Sequence, residues 1–183
     1  MAKLKLRDIL NILLGLLLMS LVTSAQALDI QGMGYRLGVG DRLKVSVFGH
    51  DELSGSFVVN GNGEIVMPLV RRVNSLGLTT DQLSDAITRK LRPDYLVNPR
   101  VTVELLSYRP FYIIGEVNKP GSYPYVEGMT VLNAIALAGG YARRANKGKV
   151  IVERGANDRK KFKAKPTSHV KPGDIITVRE RFF

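Results

Sequence analysis

Side chains that could transfer protons near neutral pH are scarce in this sequence, which has two histidines and no cysteine. His50-Asp51-Glu52 stands beside Ser54 and Ser56, residue types that hydrolases combine. Adjacent residues rarely face a common point, however, and no Gly-x-Ser-x-Gly elbow accompanies them. His169 is far away along the chain, so no metal-ligand spacing arises. Gly38-Val39-Gly40 lacks the third glycine of a dinucleotide fingerprint. We predict no catalytic residue, no metal and no cofactor, and therefore not an enzyme.

Binding chemistry is better represented, because five of the 13 aromatic residues fall within 18 positions. Aromatic faces pack against sugar rings, and tyrosine adds a hydroxyl. The alternative is that these rings form cross-strand pairs inside a core, which we favour for most of them. The five are Tyr108, Phe111, Tyr112, Tyr123 and Tyr125. For contact with a ligand or a neighbouring subunit, the sequence favours Arg109, Tyr112 and Lys119.

Two predicted strands carry this aromatic cluster, at residues 111–115 and 122–126. Alternation predicts that Phe111 and Ile113 share one face, with Tyr112 on the other. Between the strands, Pro120 fixes φ near −65°, and we expect Gly121 to supply the positive φ of a type II turn.

A short helix is predicted after these strands. Thr130 can cap its N-terminus, and Gly139 and Gly140 are suited to end it. The apolar face of this helix is predicted to contain Val131, Leu132, Ile135 and Ala138.

The preceding part of the chain predicts a second small α+β unit. Leu43, Val45 and Val47 alternate as in a strand. Asn60-Gly61-Asn62-Gly63 predicts a hairpin between residues 57–59 and 64–66. Thr79 and Gln82 form a capping box before an apolar helical face, which Pro93 must end, and a half-buried strand follows. The residues of that face are Leu83, Ala86, Ile87 and Leu91, and those of the strand are Val101, Val103 and Leu105.

One short pattern occurs twice. Gly40-Asp41 and Gly173-Asp174 each precede a predicted strand. We interpret both as a turn in which the aspartate bonds nearby backbone two residues further on.

These motifs together resemble the bacterial polysaccharide export family. Residues 109–140 resemble its soluble-ligand-binding β-grasp (SLBB) module, in which a G-x-V-x-x-P-G-x-Y pattern is followed by a helix and two glycines. Residues 35–103 resemble its polysaccharide export domain, which opens with Y-x-L-G-x-G-D and closes with N-P-x-V-x-V. The resemblance implies an α+β fold of two small β-rich units, an export domain at 30–107 and an SLBB β-grasp domain at 108–183. Its structural motif residues here are Gly40, Asp41, Gly115, Pro120, Gly121, Gly139 and Gly140.

The N-terminus is typical of a secretory signal. Lys3, Lys5 and Arg7 precede an apolar run, and Ala25-Gln26-Ala27 offers an A-x-A cleavage site. We therefore expect residues 1–27 to be a signal peptide that is cleaved before Leu28. A retained membrane helix is the alternative, but the run is shorter than the ~20 apolar residues that span a bilayer. Without a cysteine for lipid attachment, the mature protein is expected in the periplasm.

Charge is distributed unevenly. Residues 28–142 carry 11 basic and 11 acidic side chains, whereas residues 143–183 carry 13 and 4, a net charge of +9. Such a patch attracts polyanions, and the secretory signal argues against nucleic acid. Acidic polysaccharide, anionic lipid and an acidic partner surface remain open, beside a simple solvated hairpin tip.

The resemblance also implies a function. It implies a non-enzymatic component of a capsular or exopolysaccharide export channel, with polysaccharide as its cargo and association with the outer membrane through partners. The implied partners are an inner-membrane chain-length regulator with a tyrosine kinase domain, further copies in a ring, and a separate outer-membrane β-barrel. The barrel is expected because the family's C-terminal pore helix is missing. The alternative is a freestanding periplasmic glycan-binding protein.

Overall fold

Ten short strands and two α-helices make up the regular structure of the described residues. The structure is a computed structural model, and it describes residues 34–92, 94–155 and 159–181. The predicted signal peptide and its cleavage site lie outside these residues. The strands are β1 (Arg42–Val47), β2 (Gly55–Val58), β3 (Glu64–Met67), β4 (Arg71–Asn74), β5 (Val101–Ser107), β6 (Phe111–Gly115), β7 (Gly121–Tyr123), β8 (Ala145–Arg154), β9 (Lys160–Ala164) and β10 (Ile175–Glu180), and the helices are α1 (Thr80–Leu91) and α2 (Val131–Leu137). In this part of the chain, neither helix has the length and hydropathy needed to cross a membrane.

The strands form three sheets. The first has the order β2-β1-β5 and is antiparallel, and β3 and β4 form a separate antiparallel pair. The largest sheet has the order β7-β6-β10-β8-β9, in which the central β6 and β10 run parallel. The predicted α+β class is confirmed.

Each part of the chain has its own apolar core. The N-terminal core is built by β1, β3 to β5 and α1, with Leu43, Ile65 and Leu83 fully buried. The C-terminal core lies between the five-stranded sheet and α2, where Phe111 and Ile135 are buried. From Tyr35 onward the described chain nevertheless forms one compact unit. The domain bounds 30–107 and 108–183 remain predictions.

Both predicted helix starts are confirmed as capping boxes. Thr79 exchanges hydrogen bonds with Gln82, and Thr130 does so with Asn133. Each pair satisfies backbone N–H groups that have no partner within the helix. At the end of α2, Gly139 and Gly140 have φ of 76° and 86°, as predicted.

The turn predicted at Asn60–Gly63 is confirmed, but the strands on either side of it do not pair with each other as a hairpin. Asn60 Oδ1 accepts from the N–H groups of Asn62 and Glu64, and Gly63 has φ of 79°. The chain reverses there, but β2 pairs with β1 and β3 pairs with β4. The hairpin therefore lies at β3–β4, whose turn places Leu69 and Arg71 at positive φ, a conformation that the residue types do not indicate.

Three expectations for the second half are also wrong in detail. Gly121 has no positive φ, and β7 ends at Tyr123 rather than at 126. The β6–β7 turn is instead held by the end of α2, because Lys119 N–H donates to Ala138 O (2.8 Å) and Asn118 N–H to Gly140 O (3.1 Å). Leu132 is 53% exposed, and Ala134 occupies the buried face that was predicted for it.

Candidate functional site

A buried carboxylate joins the two parts of the chain. Asp41 is fully buried at the start of β1 and accepts hydrogen bonds from four donors. These are Tyr35 Oη (2.7 Å), the Gly38 N–H (2.7 Å), the Arg109 N–H (2.7 Å) and Arg109 Nη1 (3.1 Å). Arg109 lies in the connection between β5 and β6, so the N-terminal loop binds the segment that leads into the largest sheet. We call Tyr35, Gly38, Asp41 and Arg109 the Asp41 joint.

Arg109 is enclosed by glycine backbone on two sides. A Cβ at Gly38 would stand 2.2 Å from Arg109 Nη1, and one at Gly173 would stand 2.9 Å from Arg109 Nε. Glycine therefore makes room for the guanidinium in both loops. With 28% of its side chain exposed and an ion pair to Asp41, Arg109 lies in the joint. Its predicted contact with a ligand or subunit stays a prediction.

The repeated Gly-Asp pattern corresponds to a repeated structural device. Asp174 is also fully buried, and Arg154 donates to it through Nε (2.9 Å) and Nη2 (2.7 Å). Each aspartate accepts the backbone N–H three residues before it, from Gly38 and Lys171 respectively. The prediction of a shared turn is confirmed, but the bonded backbone lies before the aspartate and not two residues after it.

The joint controls the ionisation of Tyr35. Burial raises the pKa of its hydroxyl above the ordinary value, and the hydrogen bond to Asp41 raises it further. The folded chain therefore holds this proton to higher pH than the unfolded chain does. The stabilisation is complete below the pKa of an unfolded tyrosine, about 10, and is lost as the pH rises above it.

We expect the free energy of unfolding of the wild type to fall more steeply above pH about 10 than that of Tyr35→Phe. Urea unfolding at a series of alkaline pH values measures this difference. The control is Tyr95→Phe at an exposed tyrosine, which should leave the slope unchanged. Parallel curves for the wild type and Tyr35→Phe would contradict the assignment.

The outward face of β6 presents the second predicted residue. Tyr112 is 44% exposed and Ile114 48%, while Phe111 and Ile113 are fully buried, as the alternation predicts. Across the sheet, Tyr112 pairs with Ser122 on β7 and with Ile175 on β10. Tyr112 thus lies half-exposed on the outward face of the sheet, and its contact with a ligand or subunit stays a prediction.

Lys119 lies in the β6–β7 turn, where Tyr123 Oη donates to its carbonyl (2.5 Å). Among the described residues, no hydrogen bond or ion pair connects Arg109, Tyr112 and Lys119 with one another. Arg109 therefore lies in the Asp41 joint, Tyr112 on the outward face of β6, and Lys119 in the β6–β7 turn.

The other aromatic rings of the cluster pack against one another. Tyr108 makes edge-to-face contacts with Tyr35 (centroids 4.8 Å apart) and with Tyr125 (5.0 Å). Phe111 stacks with Tyr123 at 6.0 Å. The prediction that most of these rings pack is confirmed.

A basic cleft lies where the C-terminal strand ends. It has a volume of about 650 Å3 and is lined by Tyr141, Ala142, Arg143, Ala145, Asn146, Lys147 and Arg181. Lys147 Nζ stands 5.8 Å from the centroid of the Tyr141 ring, within cation–π range. The basic composition of this region is visible in the sequence, but the approach of Arg181 to Tyr141 from 40 positions away is not.

The histidines do not form a catalytic arrangement. His50 Nδ1 lies 3.0 Å from Glu52 Oε1. Ser54 Oγ instead donates to the backbone carbonyl of His50 (2.9 Å). His169 lies beyond α2, where it forms a bridge with Thr130. The side chains of His50 and Ser54 are thus hydrogen-bonded within the turn at residues 50–54.

Comparison with known proteins identifies both parts of the chain. A family model described as "Polysaccharide biosynthesis/export protein" matches residues 30–106, and one described as "SLBB domain" matches residues 110–163. The chain therefore contains a polysaccharide export domain followed by an SLBB domain. The first match contains Asp41, and Arg109 stands between the two, so the Asp41 joint ties the export domain to the SLBB domain.

Several proteins of polysaccharide production, transport and export are similar to the chain. Exopolysaccharide production protein ExoF of Rhizobium meliloti (strain 1021) is 36% identical over 124 residues, covering 61% of this chain and 30% of that protein. Polysialic acid transport protein KpsD of Escherichia coli is 32% identical, covering 66% and 22%. EPS I polysaccharide export outer membrane protein EpsA of Ralstonia solanacearum is 31% identical, covering 58% and 35%. The chain thus spans between 22% and 35% of the length of these relatives.

Proposed function

We propose that the protein is a non-enzymatic periplasmic component of a capsular or exopolysaccharide export channel. The observation that carries this proposal is the Asp41 joint, which holds an export domain and an SLBB domain against each other. Two hydrogen bonds from Arg109 to this buried carboxylate, and a third from Arg109 Nη1 to Tyr35 Oη (2.6 Å), connect the two domains. A channel subunit needs such a fixed shape, because each copy must present the same surfaces to its neighbours.

The alternative is a freestanding periplasmic glycan-binding protein. Two-lobed binding proteins close around their ligand through hinge residues that change their φ and ψ angles. Here the connection Tyr108-Arg109-Pro110 is fixed to the N-terminal loop, because the backbone N–H and the side chain of Arg109 both donate to Asp41. The connection is therefore not a free hinge. This favours the channel component over a closing binder.

The proposal includes the partners of such a channel. Polysaccharide is the cargo, copies of the chain form a ring, and an inner-membrane chain-length regulator with a tyrosine kinase domain stands on one side. A separate outer-membrane barrel stands on the other and associates the protein with that membrane. Mass measurement of the mature protein, alone and with candidate partners, tests the ring. A monomer under both conditions would favour the glycan binder.

Deletion of the gene tests the function. We expect surface polysaccharide to disappear while cytoplasmic precursors of the polymer remain, because the protein acts after synthesis. Immunostaining of whole cells and of lysates separates the two pools. Normal surface polymer in the deletion strain would overturn the proposal.

The same strain tests the sheet face around Tyr112. Expression of Tyr112→Ala should restore less surface polymer than the wild type, with a melting temperature within a few degrees of it, since the ring lies on the outward face of the sheet and is 44% exposed. Leu132→Ala is the matched control, because it removes an exposed apolar side chain from α2. A large drop in melting temperature would make Tyr112 a packing residue instead.

A further inference from the structure

The cleft at the end of β10 carries a concentrated positive charge. Arg143, Lys147 and Arg181 line it together with the Tyr141 ring, and its lining includes no acidic residue. Glu180, the neighbour of Arg181, forms an ion pair with Arg144. The ion pairs found in the described part of the chain include neither Arg143 nor Lys147. The positive charges of Arg143 and Lys147 are therefore available to an anion.

The backbone around the cleft is fixed from both sides. Val117 forms a bridge with Tyr141, and the N–H of Ala142 donates to Glu116 O (3.0 Å). On the other side the register of β10 shifts between Val178 and Glu180, and the Arg181 N–H donates to Arg144 O (2.8 Å). The extra residues of this register shift lie on β8, between Ala145 and Val150, and they include Asn146 and Lys147, which line the cleft.

We propose that this cleft binds the carboxylate-bearing sugars of an acidic polysaccharide. Guanidinium groups bind carboxylates through paired N–H donors, and a lysine adds a point charge beside them. The Tyr141 ring offers an apolar face for a sugar ring. The volume of about 650 Å3 lies within the range of small-ligand sites, roughly 300–1,000 Å3. The inference rests on the proposed export function and specifies an acidic polymer as its cargo.

A concave site favours a glycan over a membrane surface. Lipid headgroups are recognised by exposed basic residues on an open face, and this chain has such residues elsewhere, on β9. Lys160, Lys161 and Lys163 are all exposed there, and Lys161 is paired with Glu153 (2.9 Å). Tyr141 is only partly exposed, and a tyrosine is neutral near pH 7 in any case, since its ordinary pKa is about 10.

Titration calorimetry of the purified protein with hexagalacturonate, and with neutral maltohexaose of equal length, tests the proposal. We expect binding of the acidic oligosaccharide only, with an affinity that falls as salt is added. The double variant Arg143→Gln/Lys147→Gln should weaken binding about tenfold or more. The matched control is Lys163→Gln/Lys165→Gln, which removes the same charge from exposed lysines outside the cleft and should change affinity less than about twofold.

Three results would overturn the proposal. Equal binding of both oligosaccharides would remove the role of the carboxylate, and an equal loss in the control variant would indicate diffuse attraction to the whole basic region. Tighter binding to phosphatidylglycerol vesicles than to hexagalacturonate would assign the cleft to a lipid surface. The outcome is independent of the deletion experiment: loss of surface polymer without binding in solution would refute the cleft alone, and unchanged surface polymer would refute the export function alone.

Discussion

Replacing Asp41 with alanine should lower the free energy of unfolding by about 3–5 kcal/mol, the cost of removing one partner of a buried ion pair. The carboxylate is fully buried and accepts from Tyr35, Gly38 and two groups of Arg109. Alanine would leave these donors without a partner and the Arg109 guanidinium without its counter-charge. The loss should be visible as a lower urea midpoint.

The control for this change is Asp51→Ala. Asp51 is an exposed aspartate in the short 3-10 turn at Asp51–Leu53, and its removal should change stability by less than about 0.5 kcal/mol. Because Asp41 and Arg109 act as a pair, Asp41→Ala combined with Arg109→Ala should cost clearly less than the sum of the two single changes. If the losses of unfolding free energy in the two single variants simply add up in the double variant, Asp41 and Arg109 do not act as a pair.

Replacing Gly115 with alanine should be similarly severe, at about 3–5 kcal/mol, from positive-φ strain together with overpacking. Gly115 ends β6 at φ of 88°, and a Cβ there would stand 2.1 Å from the backbone oxygen of Val178 on β10. A strand backbone cannot yield as a flexible side chain does. Since β6 and β10 form the parallel centre of the largest sheet, the clash should separate the two strands.

Gly140 provides a matched control for the cost of placing alanine at a positive φ. Its φ is 86°, and a Cβ there would meet nothing within 4 Å. Gly140→Ala should therefore cost only the backbone strain, about 1–2 kcal/mol. Thermal or urea unfolding of both variants isolates the contribution of the clash. Equal losses of unfolding free energy at the two positions would show that the Val178 backbone shifts to accommodate the new methyl group.

Local chemistry explains what could be predicted from the sequence. The capping boxes at Thr79 and Thr130 depend on residues three positions apart, and the buried face of β6 follows from alternation within one strand. The Asn60–Gly63 turn was predicted for the same reason, since Asn60 bonds its own neighbours. The pairing of the strands depends on contacts between residues that are distant in the sequence, and the turn residues do not determine it.

The candidate sites were less predictable, because their parts meet only after folding. Asp41 and Arg109 are 68 positions apart, and Tyr141 and Arg181 are 40 apart. Gly121 was given a positive φ from its place after Pro120, whereas the turn is shaped by bonds to the end of α2. Asp41, Gly173 and Arg109 were each visible as motif or candidate residues, but nothing in their types indicates that they meet.

Placing a buried charge pair at the only covalent connection between the two domains has a mechanical consequence. A force on the SLBB domain is carried by the peptide chain at Tyr108–Pro110 and, in parallel, by the bonds from Arg109 to Asp41, which directly precedes β1. Load therefore enters the export domain at two strands, β5 and β1, which are neighbours in one sheet. A force applied between the two domains would therefore be shared across that sheet rather than concentrated in the linker.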